Sequence, residues 1–216
     1  MKIRAFTAIE ILLVITIIVM LSAILFPVFN RAKVDAFRSA GISNMAQIGK
    51  STLLYQADHD DRYPVAIDSA LIPGVYQRSF STDEVEVYGP MISTAPALTA
   101  LLKPYGATAM VWRNKLDQGG TVNYSLADGT TAAIRSSSFA DEYGTSVAYR
   151  AELGLRKLSS SSISTSDVGL IVDMLPWYGG VNSKNVDIKA SNMLFADGHV
   201  KPVNLAGRVR YWLRSF

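Results

Sequence analysis

The sequence predicts an α+β protein in which one long N-terminal helix, half in a membrane and half amphipathic, packs on an antiparallel β-sheet domain. Three observations lead to this prediction. Residues 6–29 form an apolar run long enough to cross a bilayer as a helix. Residues 31–57 place apolar side chains at steps of three and four, as one face of a helix does. After residue 58 come short apolar or alternating runs separated by turn residues, a pattern that indicates strands.

The apolar run reads FTAIEILLVITIIVMLSAILFPVF, and its single charged residue is Glu10. A helix bonds all its backbone polar groups internally, as hydrocarbon requires, so we expect residues 6–29 to span the membrane. Two residues are unusual for a simple anchor. An ionised carboxylate such as Glu10 costs about 2.5–3.5 kcal/mol at mid-bilayer and less near the interface. Pro27 lacks a backbone N–H and is expected to kink the helix near its outer end.

This N-terminus resembles that of type IV pilins and of the related pseudopilins of secretion systems. In that family a short basic leader is cut off just before a Phe, and the fifth residue of the mature chain is Glu. Residues 1–5 match the leader, Phe6 the first mature residue and Glu10 the fifth, and Pro27 stands where a helix-kinking proline is frequent. The residue before the cut is Ala5, where the family prefers Gly. The resemblance implies that a prepilin peptidase cleaves between Ala5 and Phe6 and that the new Phe6 amino group is methylated.

Such a cut leaves an α-amino group on Phe6 at the tip of an apolar helix. Glu10, one turn along, can pair with the amine of a neighbouring chain, which removes part of the cost that each charge has in lipid. Subunits that require a staggered neighbour assemble head to tail into open helical arrays. We therefore expect a homo-oligomeric filament in which Phe6 and Glu10 are the assembly residues.

A second, narrower resemblance is to pilin-like proteins with a C-terminal H-x9-DG motif. Residues 43–64 (SNMAQIGKSTLLYQADHDDRYP), 101–105 (LLKPY) and 192–200 (NMLFADGHV) carry it. The sequence departs from the motif at Asp187, which stands where the family has its His, and it lacks the Cys often found in the middle region.

Length and charge restrict the remaining interpretations. The chain of 216 residues allows one membrane helix and one globular domain of ordinary size. The formal net charge of +3 falls to +1 when Lys2 and Arg4 leave with the leader, so it gives little support to nucleic-acid binding. Lys2 and Arg4 favour a cytoplasmic N-terminus. With no cysteine, the chain can form no disulfide.

We divide the sequence into a prepilin leader (1–5), a transmembrane or fibre-core helix (6–29), an amphipathic continuation (30–57) and a β-rich pilin-like head (58–216). The predicted apolar face of the continuation is best explained as the seat of the head, with a coiled-coil dimer as the alternative. Its glycines, Gly41 and Gly49, weaken the helix by about 1 kcal/mol each relative to Ala. The face consists of Val34, Phe37, Gly41, Met45, Ile48, Thr52 and Tyr55.

Residues 58–64 (DHDDRYP) are expected to end the helix, because Pro64 disfavours helix before it and acidic residues oppose the dipole at a helix C-terminus. The carboxylates are of the type that binds calcium, but the Gly and distal Glu of an EF-hand loop are missing. A solvated turn is the favoured interpretation, and we assign no metal site.

The head is expected to contain strands at 84–88 and 168–174, a short helix at 97–102 and a serine-rich loop at 159–166. The clearest element is a hairpin of residues 192–196 and 199–203, because Asp197-Gly198 supplies the residues that a tight turn requires.

Aromatic residues stand out in two places. Trp177 and Tyr178 fill either the core or a subunit contact, and the core is favoured. The tail, residues 207–216, combines three arginines with three aromatic residues, a composition that suits single-stranded nucleic acid. A basic last strand or a subunit contact accounts for it better, so we expect no nucleic-acid partner.

Catalytic chemistry is not evident in the sequence. There is no Gly-rich phosphate loop, no G-x-S-x-G and no HExxH, and His59 and His199 lie far apart. We assign no catalytic residue and no cofactor, and we expect a structural subunit of a type IV pilus-like filament. Its expected partners are copies of itself, the prepilin peptidase and an assembly platform. The precursor is expected in the inner (cytoplasmic) membrane and the product in an extracellular pilus.

Two alternatives stay open. The chain is a pseudopilin of a type II secretion system, in a periplasmic pseudopilus, or it is an uncut, single-pass membrane-anchored binding domain.

Overall fold

The computed structural model describes residues 7–66, 91, 94–125, 131–154, 164–178 and 191–212. These residues form four α-helices and six strands. In chain order they are α1 (Ala8–Asp58), α2 (Leu98–Leu102), β1 (Gly120–Ser125), β2 (Thr131–Ser136), α3 (Phe139–Tyr143), β3 (Val147–Tyr149), β4 (Gly169–Asp173), β5 (Ser191–Phe195), β6 (Val200–Val203) and α4 (Leu205–Trp212). The predicted α+β class is confirmed.

The chain divides into two compact units, Met1–Phe37 and Arg38–Phe216. The helix α1 is continuous across this division, so its first part belongs to the first unit and residues 38–58 belong to the second. We call residues 38–58 the seated half of α1 and the second unit the head.

All strand pairs in the described part of the head are antiparallel. Strands β3, β4, β5 and β6 form a four-stranded sheet in that order, and β1 and β2 form a separate two-stranded sheet. The register of β4 on β5 shifts between Gly169 and Ile171. Such a bulge lets consecutive residues point to one side, and both Leu170 and Ile171 belong to the same core cluster.

The predicted hairpin at residues 192–203 is confirmed. Strands β5 and β6 pair from Ser191 with Val203 to Leu194 with Val200. Gly198 in the turn has φ of +90°, a conformation that residues with a Cβ rarely adopt. The turn is closed by the Gly198 N–H, which donates to the Phe195 carbonyl at 2.9 Å.

The four-stranded sheet has an apolar cluster on each side. The cluster towards α1 joins Met45 and Ile48 of the seated half to Ile171 and Leu194 of the sheet. The cluster on the opposite side joins Val172, Met193, Phe195 and Val203, with Tyr211 of α4 packed against it. Burial of aliphatic side chains at about 25 cal/mol per Å² is the main force that holds these layers together.

The seated half of α1 packs closely on the sheet because glycines stand at its points of contact. A Cβ atom at Gly49 would lie 2.8 Å from Leu194 Cδ1, and one at Gly41 would collide with the Tyr178 hydroxyl. By helix propensity both glycines weaken α1, but their lack of a side chain allows the helix to approach the sheet. Of the predicted face, Met45, Ile48 and Thr52 are buried, whereas Val34 and Phe37 fall in the first unit.

The segment after α1 is tied to the sheet by two tyrosine hydroxyls. Tyr63 donates to the Ala196 carbonyl at 2.7 Å, and Tyr149 of β3 donates to the Pro64 carbonyl at 2.6 Å. These hydrogen bonds fix the chain immediately after the acidic turn.

One prediction for the tail is wrong. Residues 205–212 form the helix α4, not a basic last strand. The physical reason is the N-cap Asn204, whose Oδ1 accepts from the Gly207 N–H at 2.8 Å while its carbonyl accepts from Arg208 N–H at 2.8 Å.

Other predicted segments have varied outcomes. The short helix predicted at 97–102 is α2, and the strand predicted at 168–174 is β4. The predicted strand at 84–88 and most of the predicted serine loop lie outside the described residues, and the end of that loop enters a 3-10 turn at Thr165–Asp167.

Candidate functional site

The first part of α1 exposes its apolar side chains. Every large apolar side chain between residues 9 and 29 is between 50% and 73% exposed. The helix is long and apolar enough to cross a membrane by length and composition, and it lies near the N-terminus. A contiguous apolar surface of this size is typical of a membrane or protein contact, because isolated soluble proteins rarely expose one.

A capping box closes the N-terminus of this helix. Glu10 Oε2 accepts from the backbone N–H and from the hydroxyl of Thr7, both at 2.8 Å, and Thr7 Oγ1 accepts from the Glu10 N–H at 3.4 Å. These reciprocal bonds satisfy backbone donors that the first turn of a helix leaves without partners. The carboxylate of Glu10, which is predicted to take part in assembly, therefore accepts hydrogen bonds within its own chain.

The remaining predicted processing residues have different outcomes. Ala5 and Phe6 lie outside the described residues, so cleavage and methylation stay predictions. Pro27 lies inside α1, which continues past it to Asp58. The predicted kink at Pro27 stays a prediction.

The acidic turn after α1 is ordered by an aromatic stack. The His59 ring stacks on Tyr55 with centroids 3.8 Å apart, and His59 Nδ1 lies 2.9 Å from the Tyr55 carbonyl. Tyr105 packs edge-on against Tyr55, and its hydroxyl donates to Asp58 Oδ2 at 3.1 Å. Within the described ranges, no three His, Asp or Glu side chains converge on a common point.

A buried polar cluster lies between the seated half of α1 and the sheet. The Asp173 carboxylate, at the end of β4, is 1% exposed. Its Oδ2 accepts from the Asn192 N–H at 2.6 Å, and its Oδ1 accepts from Asn114 Nδ2 at 3.1 Å. Asn114 Nδ2 also donates to the Tyr178 hydroxyl at 2.9 Å, so one amide group joins the carboxylate to the phenol.

Two arginines act on this cluster from different helices. The Arg38 guanidinium of α1 lies 5.1 Å from the centre of the Tyr178 ring, a cation–π distance. Arg208 of α4 donates through Nη2 to the Met174 carbonyl at 3.0 Å. Burial raises the pKa of Asp173 to about 7, while its hydrogen bonds and the charges of Arg208 and Arg38 act in the opposite direction. Burial and the nearby Asp173 raise the pKa of Tyr178.

A second carboxylate organises the neighbouring loops. Asp117 Oδ1 accepts from the N–H groups of Gly119 and Phe139, at 3.1 and 3.2 Å. Its Oδ2 accepts from the Ala140 N–H and the Ser146 hydroxyl, both at 2.7 Å. Asp117 therefore supports the first turn of α3 and links it to the start of β3.

The aromatic residues belong mainly to the head's own packing. Trp177 and Tyr178 are buried, as the favoured interpretation of the sequence had it. Tyr211 packs edge-on against Phe195, and Lys201 Nζ lies 4.4 and 4.3 Å from the centres of these two rings. In the described part of the tail, Tyr211 and Arg208 therefore hold α4 on the sheet.

Sequence analysis did not identify the cluster around Asp173. Two signals were available: an Asp that ends the apolar run GLIVD, and Arg38 beside the predicted apolar face of α1. Neither signal indicates which residues Asp173 contacts, because Asn114, Tyr178 and Asn192 come from separate parts of the chain.

Comparison of the chain with protein-family models, with curated proteins and with solved structures finds no match.

Proposed function

We propose that this chain is a structural subunit of a type IV pilus-like filament, cut between Ala5 and Phe6, held in the inner membrane by its apolar helix and then assembled through that helix. The observation that supports this proposal is the uncovered apolar surface of residues 9–29, with one carboxylate, Glu10, near its start. Lipid covers such a surface before assembly, and copies of the same helix cover it in a filament.

Glu10 distinguishes assembly from simple anchoring. In a helix that serves only as an anchor, an acidic residue opposes insertion, and its benefit is limited to the cap that Glu10 forms with Thr7. In the proposed filament, the carboxylate exchanges its Thr7 partners for the α-amino group of a neighbouring Phe6. Pairing of the two charges stabilises the staggered contact because neither remains alone in an apolar environment.

The experiment compares Glu10→Ala with the wild type in cells that produce filaments. We expect membrane insertion to be retained and incorporation into filaments to fall by roughly tenfold or more, as the loss of about 1.4 kcal/mol per contact requires. Mass spectrometry of the N-terminus reports cleavage and methylation in the same samples. Unchanged filament yield from Glu10→Ala would contradict the role given to this residue.

A second candidate function is favoured by the capping box. Because Glu10 already bonds to Thr7 within one chain, the helix is also complete as an uncut, single-pass anchor for a binding domain. Detection of an intact Met1 on the membrane-bound protein by mass spectrometry would support this anchored binding domain. Cleavage between Ala5 and Phe6 is also expected for a subunit of a secretion pseudopilus. Isolation of the chain from long extracellular fibres distinguishes the pilus from the pseudopilus.

A further inference from the structure

The carboxylate of Asp173 lies beneath the seated half of α1. Gly41 and Met45 of the helix line a narrow cleft together with Asn114 and Asp173. Both oxygens of Asp173 accept hydrogen bonds from neutral donors, the Asn192 N–H and the Asn114 amide. Removal of a charged carboxylate from water costs several kcal/mol, and neutral donors offset only part of that cost.

A proton acceptor lies on the neighbouring strand. Asn192 is 0% exposed, and among the described residues neither its Oδ1 nor its Nδ2 has a hydrogen-bond partner. Val172 pairs with Met193 in the β4–β5 ladder, so the next opposed pair is Asp173 and Asn192. Opposed residues of antiparallel strands carry their side chains on the same face, about 5 Å apart. A protonated Asp173 can donate to the unpaired Oδ1, whereas an ionised one can only accept, for example from the unpaired Nδ2, and stays a buried charge held by neutral donors.

We propose that seating of residues 38–58 of α1 on the sheet is coupled to protonation of Asp173, whose acid proton is donated to Asn192 Oδ1. The proton comes from solvent when the helix covers the carboxylate and returns to solvent when the helix lifts. The proposal concerns the head alone and is independent of filament assembly.

The charged groups around Asp173 determine the direction of the effect. Arg38 faces it from α1 and Arg208 from α4, and both favour the ionised form, while Tyr178 is the nearby phenol. Arg113 lines the same cleft but is paired with Asp141. Burial outweighs the two arginines and raises the pKa of Asp173 to about 7, compared with 3.8 in water. Asp173 therefore binds the proton more tightly when the seated half of α1 covers it than when that helix lifts from the sheet. The packing of the seated half on the sheet weakens as pH rises to about 7.

Hydrogen exchange of the full-length chain in detergent micelles tests this coupling. The measured quantity is the protection factor of the amides in residues 38–50, corrected for the intrinsic pH dependence of exchange. We expect it to fall by about tenfold between pH 6 and pH 8, because the pKa of the covered Asp173 is about 7. Asp173→Asn, which cannot ionise, should show no such decrease. Asp61→Asn, which changes an exposed carboxylate in the turn after α1, should retain it.

A second variant applies if Asp173→Asn does not fold. Asn192→Val removes the proposed proton acceptor and should move the midpoint of the decrease to lower pH. The proposal is overturned if wild-type protection is constant across this range, or if Asp173→Asn or Asn192→Val shows the same midpoint and amplitude as the wild type.

Discussion

The hydroxyl of Tyr178 lies directly against the backbone of α1 at Gly41, where there is no space for a Cβ atom. Tyr178 also accepts a hydrogen bond from Asn114, which in turn donates to Asp173. The glycine therefore determines how closely the helix approaches the buried polar cluster, and its effect on stability can be separated from its effect on helix propensity.

Gly41→Ala should destabilise the head. An added methyl group in a tightly packed site costs about 1–3 kcal/mol, whereas the higher helix propensity of Ala returns up to about 1 kcal/mol. We expect a net loss in the free energy of unfolding, measured by denaturant titration in detergent. The matched control is the reverse change at the exposed neighbouring position, Ala40→Gly, which should cost about 1 kcal/mol by propensity alone. If Gly41→Ala is the more stable protein, the close contact with Tyr178 does not constrain the helix.

Thr7→Val should loosen the start of α1. It removes the hydroxyl that accepts from the Glu10 N–H and donates to its carboxylate, and loss of such a cap costs about 0.5–2 kcal/mol. We expect faster hydrogen exchange at the Glu10 amide in micelles. Thr7→Ser keeps the hydroxyl and should exchange as the wild type does. Equal rates in all three proteins would show that the capping box contributes nothing.

Asp117→Ala should destabilise the head. It removes the acceptor for three backbone N–H groups and one hydroxyl, and buried donors without partners cost about 1–3 kcal/mol each unless water replaces the carboxylate. We expect the thermal midpoint to fall by several degrees. Asp141→Ala, at an exposed position of helix α3, provides the control and should change the midpoint little.

The global stability of the protein should depend on pH through Asp173. Its pKa is raised from 3.8 in the unfolded chain to about 7 in the folded one, so the folded state holds the proton more tightly. The stabilising contribution is complete below about pH 4 and is lost as pH rises to about 7, at up to about 1.4 kcal/mol per pH unit. Denaturant titrations of wild type and Asp173→Asn across this range measure the difference between their slopes. Parallel slopes would contradict this assignment.

The sequence predicted those elements that local residues determine. The β5–β6 hairpin follows from Asp197-Gly198, and α2 and β4 follow from short apolar runs. The helix α4 does not follow from the Arg-rich and aromatic composition of the tail, and the local signal for its start is the single cap Asn204.

The polar cluster could not be predicted for a different reason. Its hydrogen bonds join Asn114 to Asp173 and Tyr178, which lie 59 and 64 positions further along the chain, and only the tertiary fold brings these residues together. Burial is likewise a property of the fold, so an Asp at the end of an apolar strand looks in the sequence like an ordinary solvent-exposed strand end.

The hydrogen bond from Tyr63 to the carbonyl of Ala196 joins residues 133 positions apart. The head therefore cannot close until Ala196 has left the ribosome, whereas the apolar start of α1 emerges well before that residue. Because chain synthesis at about 5–20 residues per second is slow compared with the formation of a helix, the N-terminal segment can form its helix before the sheet exists. Order of synthesis thus gives the apolar helix time to reach lipid or another apolar partner before the head is complete.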